Sequence, residues 1–202
     1  AAGKPAYELL GGKARERVRT YTYLYPTDGN VYPDPDDGPN VYDDPDIAAE
    51  RAAYWVAQGC TAVKFDPAGP YTVSDPHMPS LEDLERSERF VTRLREAVGD
   101  KADLLFGTHG QFTSAGALRM AKRLEKADPL WSEEPTPPEM PEEMAKVARA
   151  TSVPIATGER RCTKYEFARV LQTGAASILQ MALGRVGGLL ESKMIAVMAD
   201  AH

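Results

Sequence analysis

Three short apolar runs, each broken off by polar or charged residues, constrain this chain more than any other feature. They are Leu104-Leu105-Phe106-Gly107-Thr108-His109, Leu130-Trp131-Ser132-Glu133-Glu134-Pro135 and Val153-Pro154-Ile155-Ala156-Thr157-Gly158-Glu159-Arg160. Helical patterns lie between them, and apolar runs of this length alternating with helices read as buried parallel strands of βα units. Gly107, Glu133 and Glu159 recur at an interval of 26 residues. One βα repeat per step puts three neighbouring strand ends at one place. In such folds chemistry sits where strands end and loops begin.

The rest of the chain repeats this grammar. Lys4 to Lys13 reads as a helix closed by Gly11-Gly12, since glycine supplies a left-handed cap. Arg17 to Tyr25, rich in Val, Thr and Tyr, reads as a first strand. Asp46 to Gln58 carries Ile47, Tyr54 and Trp55 on a helical period and stops at Gly59, and Cys60 to Asp66 is the next strand. Ser80 with Asp83 makes a capping box for a helix whose apolar stripe is Leu81, Leu84, Val91, Leu94 and Val98. Further helices are expected over Ser114 to Lys126, Pro141 to Ala150 and, capped by Thr163 and Glu166, through Gln172. Ser177 to Met181 is a sixth strand, followed by a helical pattern from Gly187 to His202. Pro26 to Pro45 and Pro67 to Pro79 are too rich in proline for regular structure and read as loops. Strands and helices that alternate in this way indicate an α/β fold with parallel strands.

Composition narrows the function classes. A net charge of −6 and the lack of a Lys/Arg run argue against nucleic acid as main partner. No apolar run is long enough for a membrane span, and the N-terminus lacks a signal-peptide pattern. Cys60 and Cys162 form no Cys-x-x-Cys motif, so a cytoplasmic protein without a disulfide framework is expected.

Two carboxylates converging at strand ends need a reason. At a separation of about 4 Å they repel by about 4 kcal/mol at an effective dielectric near 20. A divalent cation removes that cost, and hard oxygen ligands suit Mg²⁺. Taken singly, Glu133 and Glu159 could equally be solvated loop acids; their regular placement favours the metal.

The strand ends Glu133-Glu134-Pro135 and Gly158-Glu159-Arg160, with the opening Glu8-Leu9-Leu10-Gly11-Gly12, resemble the enolase superfamily. More narrowly, the chain resembles its mandelate racemase and sugar-acid dehydratase branch. The resemblance implies a TIM-type (β/α) barrel with about six βα units present, preceded by the end of a capping-region linker. Residues 1–16 would be that linker and 17–202 the partial barrel, so the chain reads as an internal fragment. An open doubly wound sheet is the alternative. The exposed edges of an incomplete barrel favour association into a homo-oligomer.

The resemblance also implies a chemistry: removal of a proton alpha to the carboxylate of an acid sugar, with Mg²⁺ stabilising the enediolate. Glu133 and Glu159 match two metal ligands. Gly107 stands where the branch has a third carboxylate, leaving His109, Asp103 or water to substitute. Lys64 matches a lysine that holds the substrate carboxylate. Asp66 replaces a second lysine that acts as base, which excludes a lysine base there and places Asp66 in the catalytic set. His109, in Thr108-His109-Gly110-Gln111, resembles the histidine that helps the leaving hydroxyl depart, and Gln111 is assigned to substrate binding. Ala182 takes the place of an aspartate that would orient a histidine base. Arg160 is the expected partner of Glu134, and His77 is expected to be solvated. Two other readings stand beside this one: a non-catalytic barrel that keeps only the scaffold, and an unrelated enzyme binding phosphate at Gly184-Arg185-Val186-Gly187-Gly188.

Overall fold

The computed structural model describes residues 3–26, 38–66 and 77–202. Six strands, β1 (Thr22–Tyr23), β2 (Ala62–Phe65), β3 (Asp103–Gly107), β4 (Trp131–Glu133), β5 (Ile155–Thr157) and β6 (Ile178–Leu179), pair in parallel in the order of the chain. Helices α2 (Pro45–Ala57), α3 (Leu81–Val98), α4 (Ser114–Leu124), α5 (Pro141–Ala150) and α6 (Lys164–Thr173) connect them. A short α1 (Ala6–Leu9) precedes β1, and α7 (Leu189–Asp200) follows β6. Strictly sequential strand order belongs to the barrel. A doubly wound sheet reverses direction at a switch point, which the described strands never do.

Both faces of the central strands β2 to β5 are buried, in two different cores. Val63, Phe65, Leu104, Phe106 and Ile155 join Phe90 and Leu94 of α3 in the layer between strands and helices. Ala62, Leu105, Trp131 and Ala156 pack together on the opposite face. The alternation follows the strand pleat, and double burial explains why the runs are nearly continuous in apolar residues. Phe65 stacks on Phe90 with ring centroids 5.0 Å apart; each such side chain, fully buried, contributes about 1.5–3 kcal/mol.

Register decides what meets at the strand ends. Lys64 pairs with Leu105 and Leu105 with Trp131, while Gly107 pairs with Glu133 and Glu133 with Ala156. Phe65 pairs with Phe106, so one further step brings Asp66 beside Gly107. Asp66, Gly107 and Glu133 therefore form one layer at the C-terminal ends of three adjacent strands.

The expected caps are present. Ser80 and Asp83 at α3, and Thr163 and Glu166 at α6, satisfy each other's orphan backbone groups as reciprocal capping boxes. Arg95 secures the other end of α3: its guanidinium donates to the carbonyls of Gly99, Ala102, Ala127 and Asp128.

Several expectations change. The first strand shrinks to Thr22–Tyr23, where it pairs with β2. Leu81 is 57% exposed and Phe90 takes the core position instead, because Leu81 is the first residue of α3. On α2 the inward face is Ala48, Ala49 and Ala52, while Tyr54 is exposed; close packing of α2 on α3 favours small side chains. Most of the two proline-rich loops lies outside the described residues.

Candidate active site at the strand ends

Lys64 and Glu133 form the centre of the site. Both are buried, with Lys64 Nζ 2.8 Å from Glu133 Oε2. Trp131 Nε1, two residues along β4 on the same face, donates to the same oxygen at 3.2 Å. Burial is the largest influence on the Lys64 ammonium and acts to depress its pKa. The combined pull of Glu133, Tyr21 and Asp66 outweighs it, and the net direction is upward. Lys64 is thus a fixed cation. Its Nζ also lies 5.9 Å from the centroid of the Tyr21 ring, within the range of a cation–π contact.

Asp66, one pleat beyond Lys64, is 7% exposed. Its Oδ2 accepts from the Tyr23 hydroxyl and lies 3.4 Å from His109 Nε2. Its Oδ1 is buried and has no hydrogen-bond partner among the described residues. A Cβ built on Gly107 would collide with that Oδ1 and approach Lys64 Cε to 3.1 Å. Glycine at 107 is therefore the condition for Asp66 to lie where it does. The Tyr23 hydroxyl is driven far above its ordinary pKa, first by burial and then by Asp66, so it remains a donor.

His109 begins the loop after β3 with φ 48°. Its carbonyl accepts from Arg160 Nη2 at 2.9 Å. Arg160 Nε reaches Glu134 Oε2 at 2.9 Å, as expected, and Thr157 Oγ1 donates to Glu134 Oε1 at 3.3 Å. Gly110 N donates to the Glu134 carbonyl at 2.6 Å, and a side chain at 110 would run into Arg160. Glu134 is thus the brace that ties the loops after β3, β4 and β5 together. Hydrogen bonding to Asp66 is the largest influence on the His109 imidazole. It and the Asp66 and Glu159 charges outweigh burial and Lys64, so the pKa moves up.

Lys64, Gly107, His109, Glu133, Glu134 and Glu159 line one small cleft. Glu159, in the turn after β5, is half-exposed, with its Oε1 3.9 Å from Arg185 Nη2. The expected site residues Lys64, Asp66, His109, Glu133 and Glu159 are thus brought to one end of the sheet. Gln111 is set apart from the cleft lining: its amide nitrogen is buried without a partner among the described residues, and its backbone carbonyl lies 2.7 Å from His77 Nδ1. His77 is exposed, as expected, but braces the loop after β3 through this contact. Asp103 cannot serve the site. It opens β3 at the opposite end, where it pairs with Arg19 at 2.6 Å.

The sequence profile of the enolase C-terminal domain-like family matches residues 46–202. The chain belongs to the enolase superfamily. It is 37% identical over 199 residues to the D-gluconate dehydratase of Thermoproteus tenax, covering 98% of this chain and 37% of that protein. It is 35% identical over 203 residues to the D-xylonate dehydratase of Haloferax volcanii, covering 98% of this chain and 46% of that protein. The chain thus spans less than half the length of these relatives. Among solved structures, a mandelate racemase/muconate lactonizing enzyme candidate from Labrenzia alexandrii DFL-11 superposes with a TM-score of 0.90 at 71% identity. That match covers 100% of this chain and 49% of the other.

Mg²⁺ dependence is general in the superfamily, and the carboxylates that line this cleft are the candidate ligands. Glu133 and Glu159 are hard oxygen donors on adjacent β4 and β5 loops, the ligand type Mg²⁺ takes. Among the described residues, however, no group of three or more His, Cys, Asp or Glu side chains is arranged to hold a metal ion. The chemistry fits and the donor count is short, because Gly107 brings none and Lys64 occupies one oxygen of Glu133.

Sequence reasoning missed Tyr23, Tyr21 and Trp131. Their signal was present: Tyr21 and Tyr23 alternate toward one face as a strand pleat requires, and Trp131 stands two residues before Glu133. The run Gly184–Gly188 forms a turn, with Arg185 and Val186 N donating to the Ala182 carbonyl and φ of 88° and 94° at Gly187 and Gly188. That turn accounts for Gly187 and Gly188.

Proposed function

We propose that this strand-end cleft belongs to a Mg²⁺-dependent sugar-acid dehydratase. In that reaction a proton is removed alpha to the substrate carboxylate and the hydroxyl on the next carbon leaves as water. The observation that carries this reading is a buried Lys64, ion-paired to Glu133, in a cleft shared with His109 and Glu159. Relatives that are themselves sugar-acid dehydratases support it.

Lys64 holds and orients the substrate carboxylate; its raised pKa suits it to that task and not to the role of base. His109, whose imidazolium is favoured by Asp66, donates the proton that lets the hydroxyl depart. Asp66 stands behind His109. Glu134 and Arg160 keep the loops that carry His109 and Glu159 in register. Mg²⁺ bound by Glu133 and Glu159 would supply stabilisation of the negative charge that grows on the substrate carboxylate. Free thiols at Cys60 and Cys162 are in keeping with a reducing cytoplasm.

The test is to incubate the chain and Mg²⁺ with D-gluconate, D-galactonate and D-xylonate and assay the 3-deoxy-2-keto acid. Product that is lost in Lys64→Met and in His109→Gln supports the reading. No product from any acid sugar overturns it for this chain. Gly107, which removes a carboxylate from the metal position, favours a second reading: a barrel that binds acid sugars without turning them over. Saturable binding without product distinguishes it.

A further inference from the structure

Gly107 stands where the resembled branch has a carboxylate and Asp66 where its racemases have a second lysine, and the structure makes the two one feature. The side chain absent from 107 leaves a space on the inner face of β3, and the Asp66 carboxylate fills it from β2. There Asp66 is clamped by the Tyr23 hydroxyl and faces His109 Nε2 across 3.4 Å. The strand register places the three elements side by side without any long-range adjustment.

We propose that Asp66 is the positioning residue of His109, forming with it an acid–base pair across β2 and β3 that exists only because residue 107 is glycine. This inference rests on the dehydratase reading for its purpose, but the pair itself stands on contacts among Tyr23, Asp66, Gly107 and His109.

The pair has a clear division of labour. The Asp66 carboxylate accepts the Nε2 proton of His109, which selects the ring orientation and favours the imidazolium. The Tyr23 hydroxyl donates to the same carboxylate and so fixes its rotamer. Oδ1, buried and without a hydrogen-bond partner among the described residues, lies over Gly107. A carboxylate restored at 107 would exclude Asp66, so this site and the usual three-carboxylate site are alternatives in one space. The other charges that act on His109 are Glu159 from the β5 end and Lys64 from β2. Glu159 reinforces the pair and Lys64 opposes it, so Asp66 is the group whose removal decides the outcome.

The test is an NMR titration of the imidazole signals of the folded chain, with the resonances of His109 separated from those of His77 and His202 by His109→Gln. In the unmodified chain His109 should titrate above the ordinary imidazole value of about 6.5. In Asp66→Asn the midpoint should fall by at least half a pH unit, and Gly107→Ala should lower it too, by pushing Asp66 aside. Tyr23→Phe should lower it less, because it loosens the carboxylate without removing it. If Asp66→Asn keeps a native spectrum and leaves the His109 midpoint unmoved, the pair does not exist. If Asp66→Asn fails to fold, Gly107→Ala and Tyr23→Phe decide the matter on the same signal. If turnover is measurable, the alkaline limb of the rate profile should move down in Asp66→Asn with little change in KM. Absence of turnover alongside an intact titration shift would remove the dehydratase reading and leave the pair.

Discussion

Lys64 and Glu133 are 69 residues apart in the chain and 2.8 Å apart in space, both buried at the ends of strands. A buried ion pair adds little net stability relative to well-packed apolar residues, yet removing one partner is costly because the other is left charged and dry. Its presence here is accordingly better explained by the site than by the fold.

Glu133→Gln should therefore destabilise the chain by about 3 kcal/mol, at the lower end of the range for a broken buried pair, because the Tyr21 ring and the amide oxygen retain some contact with Lys64. Lys64→Met/Glu133→Leu should recover most of that loss and bind no acid sugar. Denaturant unfolding of the three chains measures both effects. A recovery in the double variant without loss of binding would contradict the role given to the pair.

Restoring a carboxylate at 107 should damage the chain that the superfamily pattern would seem to improve. Gly107→Asp drives a Cβ into Asp66, and overpacking of this kind costs roughly 1–3 kcal/mol. Adding Asp66→Gly should relieve the collision. Thermal unfolding of the single and double variants checks this, and additive destabilisation would show that the two residues do not share one space.

The pH dependence of stability has a definite sign at His109. Its folded pKa lies above the ordinary imidazole value of 6.5. The charged form is therefore favoured by folding, and its contribution is complete below the unfolded pKa. It is lost as pH rises through the raised folded value. Comparing the chain with His109→Gln between pH 5 and 9 should show a stability difference that shrinks toward alkaline pH. A difference that grows with pH would reverse the assignment.

In the helix layer, Phe90→Ala should cost about 3–5 kcal/mol, since the ring is buried against Phe65. Leu81→Ala should cost under about 0.5 kcal/mol, as expected of an exposed position. Denaturation midpoints of the two variants separate these cases.

Much of the architecture was legible because both faces of β3, β4 and β5 are buried, which writes each strand as an unbroken apolar run. Capping boxes at Ser80 and Thr163 marked helix starts through local chemistry, which needs no tertiary knowledge. Leu81 was misplaced because helical periodicity does not report that a first-turn residue lies beyond the packed surface. The site was legible where residues close strands, as Lys64, Glu133 and Glu159 do. Asp66 facing His109, and Tyr23 clamping Asp66, depend on register between strands. That register is a property of pairing, and the linear sequence carries no direct sign of it. Gly107 looked like a missing ligand; only the space above it showed what it admits.

Glu133 and Glu159, at the β4 and β5 ends, are the proposed ligands of one Mg²⁺ ion. The most direct measurement is calorimetric titration of the chain with Mg²⁺, alongside Glu133→Gln/Glu159→Gln of confirmed fold. Saturable binding at one site is expected, weakened at least tenfold in the double variant. No saturable binding to the chain, or equal binding to the variant, would contradict it.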